Sequence, residues 1–181
     1  MIPIGPLMRE HRLIERMLGL MELQLGRIRE ANRVDPVFIE VSTDFIRTYA
    51  DRCHHGKEED ILFRDLEKKP LQEEHRRIMD ELIAEHLHGR EVVRKLIDAH
   101  QRHLHGEVDA LQEIAASVQE LIEFYPRHIF KEDKRFFYPC MEYFDKQELA
   151  RMLEEFWDFD RKLVHEKYEQ VVKTLKDRLT L

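Results

Sequence analysis

The sequence predicts an all-α protein, an up-down-up-down four-helix bundle with an additional C-terminal helix. Three observations carry that prediction. Apolar residues recur at alternating steps of three and four over long stretches, the period of a helix with one buried face. Charged residues make up 37% of 181 positions while Gly and Pro number six each, a balance that suits long helices with wet outer faces. No stretch alternates apolar and polar residues as a half-buried strand would.

The first helix is read over residues 7–28. Leu7, His11, Ile14, Leu18, Met21, Leu25 and Ile28 form its seam, with a histidine inside it. Asp35 as N-cap and Pro36 at the first helical position start the second helix. It is read from Pro36 to Glu67, and Ile46, Ala50, His54, Glu58 and Ile61 share one face. Lys68, Lys69 and Pro70 break it, the cations suiting a helix C-terminus. The third helix is read from Leu71 to His103, with a seam of Met79, Leu82, His86, Gly89, Val93 and Leu96 before the turn at His105 and Gly106. The fourth carries Leu111, Ile114, Val118, Leu121, Tyr125, His128 and Glu132; Pro126 predicts a kink within it and Tyr138-Pro139 its end. A fifth helix is read over residues 147–179, with Met152, Phe156, Phe159, Leu163, Tyr168, Val171 and Leu175 as its contacts. The chain is read as one domain, residues 1–145 forming the bundle and 146–181 the extra helix. Short connections make sequential helices antiparallel neighbours.

The bundle is organised around a repeated phrase. His54-His55-Gly56-Lys57-Glu58-Glu59 is followed by Phe63, and His128-Ile129-Phe130-Lys131-Glu132-Asp133 by Phe137. A His and a Glu four residues apart lie one above the other on a helix. Two such helices facing each other can hold two metal ions.

Counting from each inter-helix turn tests which histidines meet. His11, His54, His86 and His128 fall at one level, to within about 2 residues or roughly 3 Å of rise. Glu58 and Glu132 lie one turn along. Six such groups buried together without a cation would leave several unsatisfied, each costing about 1–3 kcal/mol. His75 lies roughly 16 Å from His86 along the axis, given 1.5 Å per residue. His88 points off the seam, and His100, His103 and His105 belong to the bundle end. His165 is out of level and is not expected as a ligand. The pair His55/Glu59 is an alternative to His54/Glu58. The 54 register continues into apolar residues, whereas the 55 register meets Thr48, Asp51 and Arg52, so His54 is favoured and His55 is read as a rim group or one that supports a ligand from behind. Asp133 is an alternative or addition to Glu132. Tyr125 is read as a core tyrosine with a hydrogen-bonded hydroxyl, Phe63 and Phe137 as core below the site, and Lys57 and Lys131 as solvated helix-face charges.

The rest of the sequence narrows the class. A net charge of −7 argues against a nucleic-acid partner. No apolar run approaches the roughly 20 residues that cross a bilayer. Arg9, Glu10, His11 and Arg12 interrupt any signal-peptide core. Two cysteines, Cys53 and Cys140, make no disulfide framework, are read as inert, and point to a reducing cytoplasm. Nucleophile elbows, Gly-rich phosphate loops and CxxC pairs are missing from the sequence.

These phrases resemble the hemerythrin-like (HHE cation-binding) family over about residues 1–145. The matching segments are Glu10-His11-Arg12, the two repeated phrases, and Glu85-His86-Leu87-His88-Gly89-Arg90. The resemblance implies a non-haem di-iron site with an oxo or hydroxo bridge, in which zinc can substitute. Carried over, the metal ligands are His11, His54, Glu58, His86, His128 and Glu132, the two glutamates bridging. Oxygen carriers of the family have a further histidine four residues after the third-helix ligand, where this chain has Arg90, which argues against reversible oxygen carriage. The leading functional expectation is a monomer or homodimer that binds or senses a small oxidant such as O2 or NO. A di-iron enzyme acting on peroxide or NO is the second reading. A structural metal-bound or metal-free bundle, whose aromatic fifth helix binds a protein partner, is the third.

Overall fold

A computed structural model describes residues 2–161 and 164–180. It contains six helices and, among the described residues, no strand. Helix α1 is Ile4–Ala31. Helix α2 is a continuous rod over 36–66, in which Pro36–Phe45 is α-helical, Ile46–His55 and Glu58–Phe63 are π-helical, and Arg64–Leu66 is α-helical again. Helix α3 is Glu73–Leu104. Helix α4 spans 110–141, with a π-helical turn at Glu132–Phe136 between Ala110–Lys131 and Phe137–Met141. Helices α5 and α6 are Lys146–Asp160 and Val164–Thr180. No helix among the described residues is long and apolar enough to cross a membrane.

The helix starts follow local chemistry. The Asp35 side chain accepts from the backbone N–H groups of Val37 and Phe38, with Pro36 at the first turn. Asp145 and Glu148 form a reciprocal capping box at the start of α5. Asn32 ends α1 in the left-handed conformation that asparagine tolerates.

The bundle core is divided into two apolar clusters. One packs Leu18, Met21, Phe45, Ile46, Leu96, Val118 and Leu121 with Tyr168, Val172 and Leu175 of α6. The other packs Leu7, Leu62, Phe63, Leu82, Phe136 and Phe137 with Met152 and Phe156 of α5. Between them, each of the first four helices contributes a polar layer.

That division explains a departure from the sequence reading. The single fifth helix is two helices, one covering each cluster, and the first of them ends at Asp160. Met152, Phe156, Tyr168 and Leu175 make the expected contacts. Phe159 is exposed, Val172 rather than Val171 is fully buried, and Leu163 lies outside the described residues. Helix α4 also runs past Pro139 to Met141, and its helical backbone is uninterrupted at Pro126.

Candidate metal centre

The polar layer holds five buried histidines and two buried glutamates, in two adjacent groups. His11, His54, Glu58 and Glu132 offer ligand atoms within 4.8 Å of one another, and so do His55, His86 and His128. All six residues singled out from sequence are in these groups. The seventh, His55, had been read as a rim group.

Its inward position follows from the π-helix. A π-helical turn closes its hydrogen bonds at i+5 rather than i+4, so the backbone rotates less per residue. Successive side chains then project closer together, and His54 and His55 both enter the core at 1% and 2% exposure. The His54/His55 choice therefore does not arise. The ring of His55 stacks on His86 with centroids 3.8 Å apart, while His54 meets His11 edge-on at 4.5 Å.

The two glutamates span the groups. Glu58 has one oxygen 3.4 Å from Nε2 of His54 and the other 3.4 Å from Nε2 of His86. Glu132 has one oxygen 3.1 Å from Nε2 of His11 and the other 3.1 Å from Nε2 of His128. Both side chains are completely buried. These contacts are close but poorly directed as hydrogen bonds. All four carboxylate oxygens lack a hydrogen-bond partner, as do Nε2 of His86 and His128 and both ring nitrogens of His55. Buried polar atoms left in this way are costly unless a cation satisfies them.

Outside this layer, carboxylates fix the imidazoles. Nδ1 lies 2.7 Å from Asp133 in His11, 2.8 Å from Glu10 in His54, 2.6 Å from Glu59 in His86 and 2.8 Å from Glu85 in His128. The fifth, Nδ1 of His55, is 3.5 Å from Asp51. An ionised carboxylate only accepts, so in the neutral rings of His11, His54, His86 and His128 Nδ1 carries the proton and the Nε2 lone pair is turned inward. Asp133, weighed as a ligand, occupies this outer position instead.

A third layer of cations holds the carboxylates. Arg12 pairs with Asp133, Lys57 with Glu10, Lys131 with Glu85, and Arg90 with both Asp51 and Glu59. This overturns the reading of Lys57 and Lys131 as solvated charges. Lys57 is wholly buried, with Nζ also 2.7 Å from both oxygens of Asp160, and Lys131 is 19% exposed. The repeated phrase now has a physical meaning. In each copy the Lys three residues after the His clamps the carboxylate that orients that His. The Glu preceding the histidine of the neighbouring helix (Glu10 before His11, Glu85 before His86) supplies the carboxylate. His55 breaks the symmetry, since its counterpart in the second copy is Ile129.

The charges are unbalanced without a cation. Burial, then the charge of Glu132, pushes Glu58 well above the usual carboxylate range. At Glu132 burial is overcome by the charge of His128 and by the close imidazoles of His11 and His128, which hold it well below. Burial at His128 is overcome by Glu132, and its pKa is pushed up to about 9. Burial and then the charge of His11 lower His54 to about 4. Two carboxylates this close do not both ionise unaided. A pair of cations would let both do so while every imidazole stayed neutral. Imidazole and carboxylate donors suit iron, zinc or manganese.

The remaining candidates fall outside both groups. His165 lies 3.0 Å from Asp160 and 2.9 Å from the Tyr49 hydroxyl. His75 bonds the Tyr143 hydroxyl, and His88 is exposed beside Glu120. His100, placed at the bundle end, is buried with neither ring nitrogen hydrogen-bonded. Phe137 stacks on His11 and Phe63 on His86, flooring the site with apolar rings. Tyr125 is buried beside His55. Cys53 and Cys140 are unpaired, and burial raises both thiols, Cys140 to about 12, out of the reactive range.

No curated protein and no solved structure matches the chain significantly. The family model described as the hemerythrin HHE cation binding domain matches residues 3–140, which include every residue of the two groups. The chain belongs to the hemerythrin HHE cation-binding family.

Proposed function

We propose that this protein holds a non-haem di-iron centre and binds or senses a small oxidant, O2 or NO. The observation that carries the reading is the pair of buried carboxylates, each turning one oxygen toward each histidine group. In this reading His11 and His54 would hold one ion and His55, His86 and His128 the other, with Glu58 and Glu132 available to both. Bound iron supplies one-electron chemistry and open coordination positions for a small ligand.

The protein residues set the conditions for that chemistry. Glu10, Glu59, Glu85 and Asp133 fix the imidazoles of His54, His86, His128 and His11 in one tautomer and orientation. Lys57, Lys131, Arg12 and Arg90 pair with those carboxylates and hold them in place. Phe63 and Phe137 keep water from one side of the site. Two histidines would hold one ion and three the other, which would leave more open coordination positions at the His11/His54 ion.

Metal analysis with an optical spectrum, on protein produced with iron supplied, tests the reading. It predicts about two irons per chain, one for each ligand group. It also predicts near-ultraviolet charge-transfer bands that shift under O2 or NO. Zinc alone, or bands indifferent to both gases, would remove it. Catalytic turnover of peroxide or NO by the iron-loaded protein would replace it with the enzymatic reading.

A further inference from the structure

A cavity of about 320 Å³ opens beside the candidate centre, between α2, α3 and α4. It is far larger than a diatomic gas needs, given that one water fills ~30 Å³ in the liquid. It falls at the lower end of the ~300–1,000 Å³ range of organic ligand sites. Its inner end is formed by His55 and Tyr125, each 2% exposed, and both imidazole nitrogens of His55 lack hydrogen-bond partners. Ile46, Val93 and Ile97 make its walls. Gly89 also lines it; a Cβ there would meet the Phe124 ring at 3.3 Å and the Tyr125 hydroxyl oxygen at 3.9 Å.

The rim is cationic in a chain of net charge −7. Arg47, Arg90 and Arg94 line it against one acid, Asp51, which is already paired with Arg90 at 2.7 Å. Arg47 is exposed and has no ion-pair partner among the described residues. Arg94 pairs at the surface with Glu91 and Asp98. Apolar walls under a guanidinium rim suit a molecule with a carboxylate at one end and a hydrocarbon body.

We propose that this cavity binds a small organic carboxylate, its charge at Arg47 and Arg94 and its body reaching Tyr125 and His55. The inference deepens the di-iron reading and rests on it only for what the inner end of the ligand faces. A ligand seated there touches a histidine of the three-histidine group and so reaches the metal centre through His55.

Calorimetric titration of the iron-supplied protein with hexanoate, and with uncharged hexanamide of the same shape, tests it. Hexanoate binds one per chain, at least tenfold tighter than hexanamide. The double variant Arg47→Gln/Arg94→Gln, both at exposed positions, removes that preference. Val93→Phe, which fills the wall, weakens both ligands, with its fold checked by circular dichroism. No saturable hexanoate binding, or binding indifferent to both variants, overturns the proposal. Metal content measured on the same samples separates the two ideas. Two irons without hexanoate binding refute the cavity alone. Hexanoate binding that meets these criteria in a protein that holds no metal supports the cavity and refutes the di-iron reading.

Discussion

Lys57→Met removes the one ammonium group that neutralises two carboxylates at the junction of α2, α1 and α5. Lys57 is fully buried, Glu10 is 2% exposed, and the Asp160 side chain is 14% exposed. Breaking a buried ion pair from one side costs about 3–5 kcal/mol, because the partner is left charged and unpaired. Asp160 keeps His165 at 3.0 Å and has some access to water, so the lower figure, about 3 kcal/mol, applies. At ~2–4 °C per kcal/mol for a chain of this size, melting falls by about 6–12 °C. The measurement is thermal unfolding of metal-free protein followed by circular dichroism. Lys68→Met serves as control, since the Lys68 side chain is 65% exposed and its loss changes stability within about 0.5 kcal/mol. Because Glu10 orients His54, Lys57→Met also weakens metal binding by about 10–100-fold. Melting of Lys57→Met within about 1 °C of the parent would refute the three-layer account, since a solvated lysine behaves in that way.

Further outcomes follow from the same geometry. His55→Ala and His86→Ala each lower metal content, whereas His75→Ala, whose ring bonds Tyr143 away from the site, leaves it unchanged; equal loss in all three contradicts the two-group arrangement. Metal binding at neutral pH releases protons, because His128, pushed up to about 9, and Glu58, raised well above its usual range, are protonated in the metal-free site. Apparent affinity therefore rises with pH through neutrality toward about 9. Calorimetry in two buffers of different ionisation heat reads the release, and a heat independent of buffer would contradict it. Metal at about 1,000 times its Kd stabilises the fold by ~4.1 kcal/mol, or about 8–16 °C, and a chelator reverses the gain. Melting unaffected by metal would show that the layer is satisfied without a cation.

The fold was legible because its determinants are periodic and local. Seams such as Leu111 to Glu132 and caps such as Asp35 depend on neighbours in sequence. The level of the site was also legible, since a helix rises by a constant amount per residue and short turns set the register. His55 was not legible, because the reading assumed α-helical rotation throughout and no residue pattern in 46–55 announces a π-helix. One signal was present: two adjacent histidines in a copy whose partner has His128-Ile129. Lys57 and Lys131 were misread because burial of a lysine depends on partners brought by other helices: Glu10 and Asp160 for one, Glu81 and Glu85 for the other. The recurrence of Lys at the same offset in both phrases was the sign that it had a task. The break after Asp160 was hidden because each half of 147–179 is a good amphipathic helix, and only the two-cluster core shows that they face different surfaces.

The most direct test is anomalous diffraction at the iron edge from crystals grown with iron supplied. The account predicts two peaks per chain, one beside Nε2 of His11 and His54 and one among His55, His86 and His128, with a carboxylate oxygen of Glu58 and of Glu132 turned to each. A single peak, or none between those residues, would contradict the dinuclear centre.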